Sequence, residues 1–481
     1  MIAKLELGFL SPEDLNRIHD TSIRILERIG LKVSSEEVLA AIEGKPGISI
    51  DFPNQLVTIS EHAVMEAVDL TPKTFSVYGR DKSRELTYGE PGFVSQSIPG
   101  EAHWVEPKER IRRGGTWEDF EKSVIVADYL PNIDIVGAMI QPNDVSVEVR
   151  EIHLYAELLK RTKKPVRSWV FSRTCARYIL ELAKLLAGSS EAYRRNPLLE
   201  FGFEPISPLH LPGNALETAI EFAKAGTPIT IGPMPQAMAT SPVTLAGSVA
   251  QGNAETLGTL VILQTIAPGT PVIYYSAPHI MDPKTASLVF SSPEQGLMGV
   301  AVTQVGKRYE LPVGINVGLT DAKVPDAQAG LEKGTTMLLG ALAGADIFGA
   351  MGIAGMDQGF SLPQLIIDDE IIGFVKRVFA GMRIDEQACA YDVVERVGIG
   401  GSFLIDDHTL TNWRQEFWLP QLSDRSLWDP WMAAGGKTML DRALDLQEKI
   451  LSEHRLDWLE EDKQSELDKI VAAADQEILG E

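Results

Sequence analysis

The chain has 481 residues, 44% hydrophobic and 23% charged, the make-up of a folded globular protein with room for about three domains or one large one. Its 67 Asp and Glu against 44 Lys and Arg give a net charge of −23, which argues against nucleic-acid backbones and anionic membrane surfaces as partners. Two cysteines, Cys175 and Cys389, cannot build a disulfide framework or a Cys-based zinc site and fit a reducing, cytoplasmic location. The N-terminus lacks a signal-peptide pattern, and no apolar run reaches the ~18 residues of a membrane span.

The first helix is expected after Ser11, a plausible N-cap with Asp14 three residues on. Ile18, Ile23, Leu26 and Ile29 recur at helical spacing, and Gly30 ends the segment. Short β-like pieces separated by Pro and Gly follow, so residues 1–130 read as an α+β cap. From residue 131 the chain becomes regular. Runs rich in Val, Ile and Phe cover 134–140, 165–171, 198–204, 228–234, 271–277, 312–318, 346–352 and 401–406, and longer amphipathic stretches lie between them. Alternation at ~30 residues or more is the βαβ signature, because parallel neighbours need a crossover. Four of the runs open on a proline, Pro165, Pro228, Pro271 and Pro312, a residue that stops a helix and tolerates the first position of a strand.

Eight such units over 131–410 predict a (β/α)8 TIM barrel. A dinucleotide-binding open sheet would need a G-x-G-x-x-G turn after its first strand, and the sequence there, QPNDVSVEVREIH, has no glycine. Residues 411–481 read as a helical extension. Ile450, Leu456, Leu459 and Leu467 could form a stripe that docks on the barrel or on another subunit, which makes a homo-oligomer plausible.

Barrel chemistry gathers at the C-terminal ends of strands. The residues there include Gln141, Phe171, Arg173, Glu204, His210, Met234, Tyr274, Tyr275, His279, Asn316, Asp321, Lys323, Asp357 and His408. The set is rich in aromatic and amide groups and poor in clustered ligands, so no metal is expected. His210, His279 and His408 could meet at the strand ends as a zinc site, but single loop histidines more commonly serve structure. Lys323 lies in a polar loop, a poor setting for a Schiff base. Alternation in 313–318 turns Asn316 into the barrel, with Gly318 beside it leaving room.

Two segments carry more. TDAKVPDAQAGLEKG (320–334) and GGSFLIDDHTLTNWRQEFWLPQLSDR (400–425) resemble the trimethylamine methyltransferase (MttB) superfamily, with its D-x-K-x-x-D-x-Q-A-G-x-E-K-like loop and a later H-T-x-x-x-x-R segment. The opening LSPEDLNRIHDTSIRILERIGLKV is similar to that family's N-terminus. Asn412 stands where a second histidine would be expected, which puts a shared role for that histidine in doubt.

The resemblance implies a (β/α)8 enzyme that moves a methyl group from an amine to the Co(I) of a corrinoid, cob(I)alamin, carried by a separate protein. No cofactor would be bound tightly by this chain itself. The family's trimethylamine branch carries pyrrolysine in the barrel cavity. The matching point here falls near Gly318 among ordinary amino acids, so the chain resembles the non-pyrrolysine branch, best known for glycine betaine. Demethylating a quaternary ammonium releases a neutral tertiary amine and calls for no acid, only for orientation. Aromatic faces hold such cations, and the candidates are Trp169, Phe171, Phe203, Tyr274, Tyr275 and Phe348. Glu204 could face the ammonium. His279, His408, Arg173 or Asn316 could take a carboxylate, with Gln141 at the same end. No catalytic residue is assigned beyond orientation by Asn316 and Glu204. Asp321, Lys323, Asp326 and Gln328 are candidates for the partner-docking rim or a lid. Other quaternary amines (proline betaine, carnitine, a choline-like cation), a metal-independent lyase or aldolase, and a non-catalytic betaine-binding barrel are the alternatives.

Overall fold

A computed structural model describes residues 2–480. Its centre is a curled parallel sheet in an α/β fold. In chain order the strands are β1 (Val94–Ser97), β2 (Val136–Gly137), β3 (Val166–Arg167), β4 (Phe201–Phe203), β5 (Ile229–Ile231), β6 (Val272–Ser276), β7 (Val313–Ile315) and β8 (Ile347–Met351). Six of them form one continuous sheet in the order β4-β5-β6-β7-β8-β1, while β2 and β3 pair with each other, all in parallel. Isolated parallel bridges, Gln96 to Ile135 and Val166 to Leu199, join that pair to the two ends of the sheet.

Each strand is followed by a helix. These are α1 (Trp117–Tyr129), α2 (Arg150–Arg161), α3 (Arg173–Ala187), α4 (Gly213–Ala225), α5 (Leu245–Ile266), α6 (Pro293–Arg308), α7 (Ala327–Ala343) and α8 (Leu362–Phe379). Their inward faces and the branched side chains of the strands, such as Ile229, Ile231, Val313 and Ile315, make one continuous core. Burial at about 25 cal/mol per Å2 of apolar surface is what holds the helix layer on the sheet.

Seven of the eight expected runs contain strands of this sheet. The eighth does not. Residues 401–406 lie in turns leading into the helix Asp407–Glu416, and Leu404 and Ile405 are exposed. The missing strand is Val94–Ser97, upstream of residue 131, and its sequence VSQS hides it. All four residues are buried, and their polarity is absorbed locally. Ser95 Oγ donates to Asp134 Oδ2 at 2.8 Å, Ser97 Oγ accepts from the Gly137 amide at 2.7 Å, and Gln96 Oε1 accepts from Arg167 at 3.0 Å. A buried strand can be polar when each group finds a partner.

The first helix, Pro12–Arg28, carries the expected cap: Ser11 and Asp14 form a reciprocal capping box. It packs on α5, as does Glu61–Leu70, and the strand Leu31–Val33 between them pairs with His210–Leu211 beyond β4. The C-terminal helices dock on this same molecule. Met439–Glu453 lies against α8 and α1 with Ile450 buried, and Glu461–Leu479 lies against α3 and α2 with Leu467 buried. No helix among the described residues is long and apolar enough to cross a membrane.

Candidate active site

A cavity of about 110 Å3 opens at the C-terminal ends of the strands. Its wall includes Gln96, Arg167, Trp169, Phe203, Glu204, Thr230, Met234, Tyr275, Phe290, Asn316 and Asp357. Every strand of the ring except β2 sends a residue to it from its own span or the few residues beyond.

Arg167 is the one cation in the wall. Its Nη1 donates to Gln96 at 3.0 Å and to Glu200 at 3.2 Å. Glu200 is fully buried and also accepts from Tyr88 (2.9 Å) and Thr230 (2.7 Å). Four strands or their flanks therefore fix one guanidinium, the kind of satisfied network that holds a buried ion pair in a single geometry. Gly202 leaves room for it, since a Cβ there would stand 2.6 Å from Nη2.

Tyr275 lies flat across the interior for a similar reason. Its ring passes between glycines on the neighbouring strands: a Cβ at Gly314 would meet Cδ2 at 2.3 Å, and one at Gly232 would meet Cδ1 at 3.2 Å. Trp169 is oriented by its indole N–H, which donates to the Gly100 carbonyl at 3.2 Å.

Asn316 is held from behind. Its Nδ2 lies 3.2 Å from His279 Nε2, and the His279 ring stacks on Phe290 with centroids 5.1 Å apart. Burial pushes the imidazole down to about 4, so at neutral pH His279 is an uncharged acceptor for that amide N–H.

The acids in the wall are unusual. Glu204 faces the cavity and makes no hydrogen bond among the described residues. Although the residue keeps an exposed edge, the protein packed around its carboxyl lifts it to about 7, against a smaller opposing pull from Arg167. Asp357 sits beside Glu101, which is buried behind it, and burial raises both. The charge of Asp357 adds to burial in lifting Glu101 to about 9, so Glu101 keeps its proton at neutral pH. Asp357 and its neighbour Met356 have left-handed backbones, φ 58° and 61°, a conformation that bulky residues adopt only when the surroundings impose it.

Of the residues singled out in the sequence, Trp169, Phe203, Glu204, Met234, Tyr275, Asn316 and Asp357 meet at the cavity, with His279 behind Asn316. The others lie elsewhere. Tyr274 points to the helix layer and donates to Asn253 at 2.9 Å, and Phe348 packs on Phe93. Phe171 is exposed, and its amide donates to Glu151. Gln141 lies beside Gly100, its backbone N–H donating to the Glu101 carbonyl at 2.8 Å. Arg173 is paired with Glu37, Glu217 and Glu221 on the outside, and His408 lies in the helix Asp407–Glu416. His210 contacts Ser34 Oγ, and among the described residues no three ligating side chains are grouped for a metal. Gly318 does not line the cavity: its φ is 86°, and a Cβ there would run into Met337 of α7 and toward Gly349. Cys175 is buried, which raises its thiol to about 12, so it is a poor nucleophile.

The 320–334 motif acts as a clamp. Glu332 Oε2 accepts from Thr320 Oγ1 (2.6 Å) and from the Asp321 amide (2.9 Å). Lys333 donates to the Gly318 carbonyl (3.0 Å) and to Asp368 (2.8 Å), with both charged side chains fully buried. Asp321 accepts from the amides of Phe290 and Ser291, Asp326 caps α7, Gln328 bonds Glu332, and Lys323 donates to the Asp321 carbonyl. The loop beyond β7 is thus tied to its own helix, to α8 and to the loop carrying Phe290.

Arg167, Gln96, Glu200 and Glu101 escaped the sequence reading. A charge inside each of the runs PVRSWVF and LLEFGFE was the available signal, since a strand charge among apolar neighbours is buried and paired. Gln96 and Glu101 had none, because their strand was unrecognised.

These features define a small cavity of ring faces, carboxyls and one guanidinium at the strand ends of an α/β fold. The chain belongs to the trimethylamine methyltransferase (MttB) family, whose profile matches residues 3–478. It is 31% identical to a trimethylamine methyltransferase of Desulfitobacterium hafniense over 99% of this chain and 96% of that one. The Methanosarcina barkeri trimethylamine methyltransferase is 30% identical over 99% and 97%. A protein of D. hafniense named glycine betaine methyltransferase is 29% identical over 98% of both. Among solved structures, the hydroxylamine complex of MtmB superposes with a TM-score of 0.50 at 11% identity, covering 91% of this chain and 92% of that one, a likeness of fold.

Proposed function

We propose that this protein transfers a methyl group from glycine betaine to the Co(I) of a corrinoid on a separate protein, releasing dimethylglycine. Glu204 carries the proposal. It is an unpartnered carboxylate in a cavity walled by Trp169, Phe203, Tyr275 and Phe290, and that pairing of charge and ring faces suits a quaternary ammonium. Each well-placed ring adds roughly 0.5–2 kcal/mol. Arg167 and the amide of Asn316 are the groups in the wall suited to the carboxylate.

The electron count needs no further group. The C–N bond breaks with its pair left on nitrogen, the C–Co bond forms from the two electrons of Co(I), and a neutral tertiary amine departs. What the protein supplies is orientation: rings and Glu204 hold the ammonium, Arg167 and Asn316 set its axis, and one N–CH3 bond faces the mouth. We read the ring of eight strands as a closed (β/α)8 barrel whose mouth receives the corrinoid, with the N-terminal α+β layer as its cap through the His210–Leu211 strand.

A second reading rests on the surplus of acid. Glu204, Glu101 and Asp357 outnumber Arg167, which Glu200 already pairs, and this balance favours a cation without a carboxylate, such as a choline-like amine. The test is spectroscopic: purified protein, reduced cob(I)alamin, and a panel of glycine betaine, other betaines, choline and trimethylamine. Methylation with glycine betaine and not choline supports the first reading, and the reverse supports the second. Silence with every amine, with a corrinoid protein as acceptor too, overturns both.

A further inference from the structure

A second groove lies on the rim next to the cavity. Its floor is apolar, from Val105, Ile111, Val324 and Ala354, and its edges carry Arg110, Arg112 and Lys323 together with Asp326 and Gln358. Three rim elements build it: the hairpin His103–Glu106 with Ile111–Gly114, the loop beyond β7, and the segment after β8 that also brings Asp357 into the cavity. The groove is firmly built, since the Gly355 amide donates to the Ala322 carbonyl at 2.8 Å and Arg112 donates to Gln358 at 2.5 Å.

Its charge runs against that of the molecule. On a chain of net charge −23, three exposed cations gather here, and among the described residues none of them forms an ion pair. Asp326, the one acid in the groove, is engaged by the amides of Gln328 and Ala329. Ile111 stands 51% exposed between Arg110 and Arg112. Unneutralised cations around an exposed apolar anchor are the composition of a docking rim, where charge steers encounter and the apolar centre supplies contact.

We propose that this groove docks the corrinoid-carrying protein through an acidic face with an apolar centre, holding the cobalt over the adjacent cavity. The proposal rests on the methyl-transfer reading above. It makes the two acceptors behave differently, because free cob(I)alamin needs no groove.

The experiment compares the wild type with R110E/R112E, using free cob(I)alamin and, in parallel, whichever purified Co(I) corrinoid protein accepts the methyl group fastest from the wild type. Reversal should raise KM for the corrinoid protein by about tenfold or more and remove its dependence on salt between low and physiological ionic strength. The rate with free cob(I)alamin should stay at the wild-type value, which also verifies the fold. An unchanged KM for the corrinoid protein overturns the groove and leaves the methyl-transfer reading standing. Equal losses with both acceptors also overturn it, as the substitution would then act through the cavity. A wild type that methylates neither acceptor removes the underlying reading, and this proposal with it.

Discussion

Gly202 and Arg167 occupy one another's space. The glycine lacks the carbon that would stand 2.6 Å from Nη2, and the guanidinium is pinned on its other side by Gln96 and Glu200. Gly202→Ala should therefore move the guanidinium without unfolding the strand. A charge-assisted hydrogen bond contributes about 1.5–3 kcal/mol, so KM for glycine betaine should rise by about ten- to a hundredfold. KM for choline should move little, and the melting temperature should hold. Steady-state kinetics on the two amines checks this, and equal losses on both would refute a carboxylate-binding role for Arg167.

Glu204 gives a pH signature. With its carboxyl near 7, it is ionised above that value and protonated below it. Attraction for a cationic amine is thus present at pH 8 and lost as pH falls through about 7. The ratio kcat/KM for the amine should drop about tenfold per unit below that point. Glu204→Gln should flatten this limb at a low value, whereas a limb that survives the substitution would assign it elsewhere.

His279 predicts a pH-silent partner. Held near 4 by burial, it stays neutral across pH 5–8 and keeps its lone pair on Asn316. An NMR titration of this imidazole should show no step in that range. A step near 6.5 would mean that the ring is charged in the working enzyme and cannot accept from Asn316.

The buried pair Lys333–Asp368 predicts a loss of stability. Lys333→Met leaves Asp368 without its counter-charge and frees the Gly318 carbonyl, a change of about 3–5 kcal/mol. Denaturant unfolding should show the midpoint fall, and Lys333→Met/Asp368→Leu should recover only part of it, because no charge is then stranded but the Gly352 amide and Gln364 lose their acceptor. A single variant as stable as the wild type would refute the clamp.

The parallel sheet was legible wherever its strands were apolar. The runs PITIGPM, PVIYYSA and PVGINVG contain strands because their branched side chains face the helices. VSQS was illegible because its stability comes from hydrogen bonds to Asp134, Gly137 and Arg167, partners remote in sequence that no periodicity reports. GSFLID misled for the opposite reason. Its Phe403, Leu404 and Ile405 are apolar but exposed, and apolarity alone carries no information about what covers a residue.

The cavity shows the same division. Alternation placed Asn316 inward, and the adjacent tyrosines Tyr274 and Tyr275 had to face opposite ways, yet only the glycines on neighbouring strands decide that Tyr275 is the inward one. Phe348 and Phe171 were indistinguishable by type from Phe203. The motif 320–334 stood out from its residues, but its work, two side chains tying down the loop beyond β7, depends on Asp368 and Gly318.

The proton that Glu101 holds beside Asp357 has a calorimetric consequence. A cation entering beside them favours the doubly ionised state, so amine binding expels that proton, and Glu204 sheds another fraction near neutrality. The heat of binding then includes the buffer's own heat of protonation. Titrations in phosphate and in Tris should give different apparent enthalpies for one and the same affinity, and their difference counts the protons released. Equal enthalpies in the two buffers would mean that the carboxyls keep their charge state when the amine arrives.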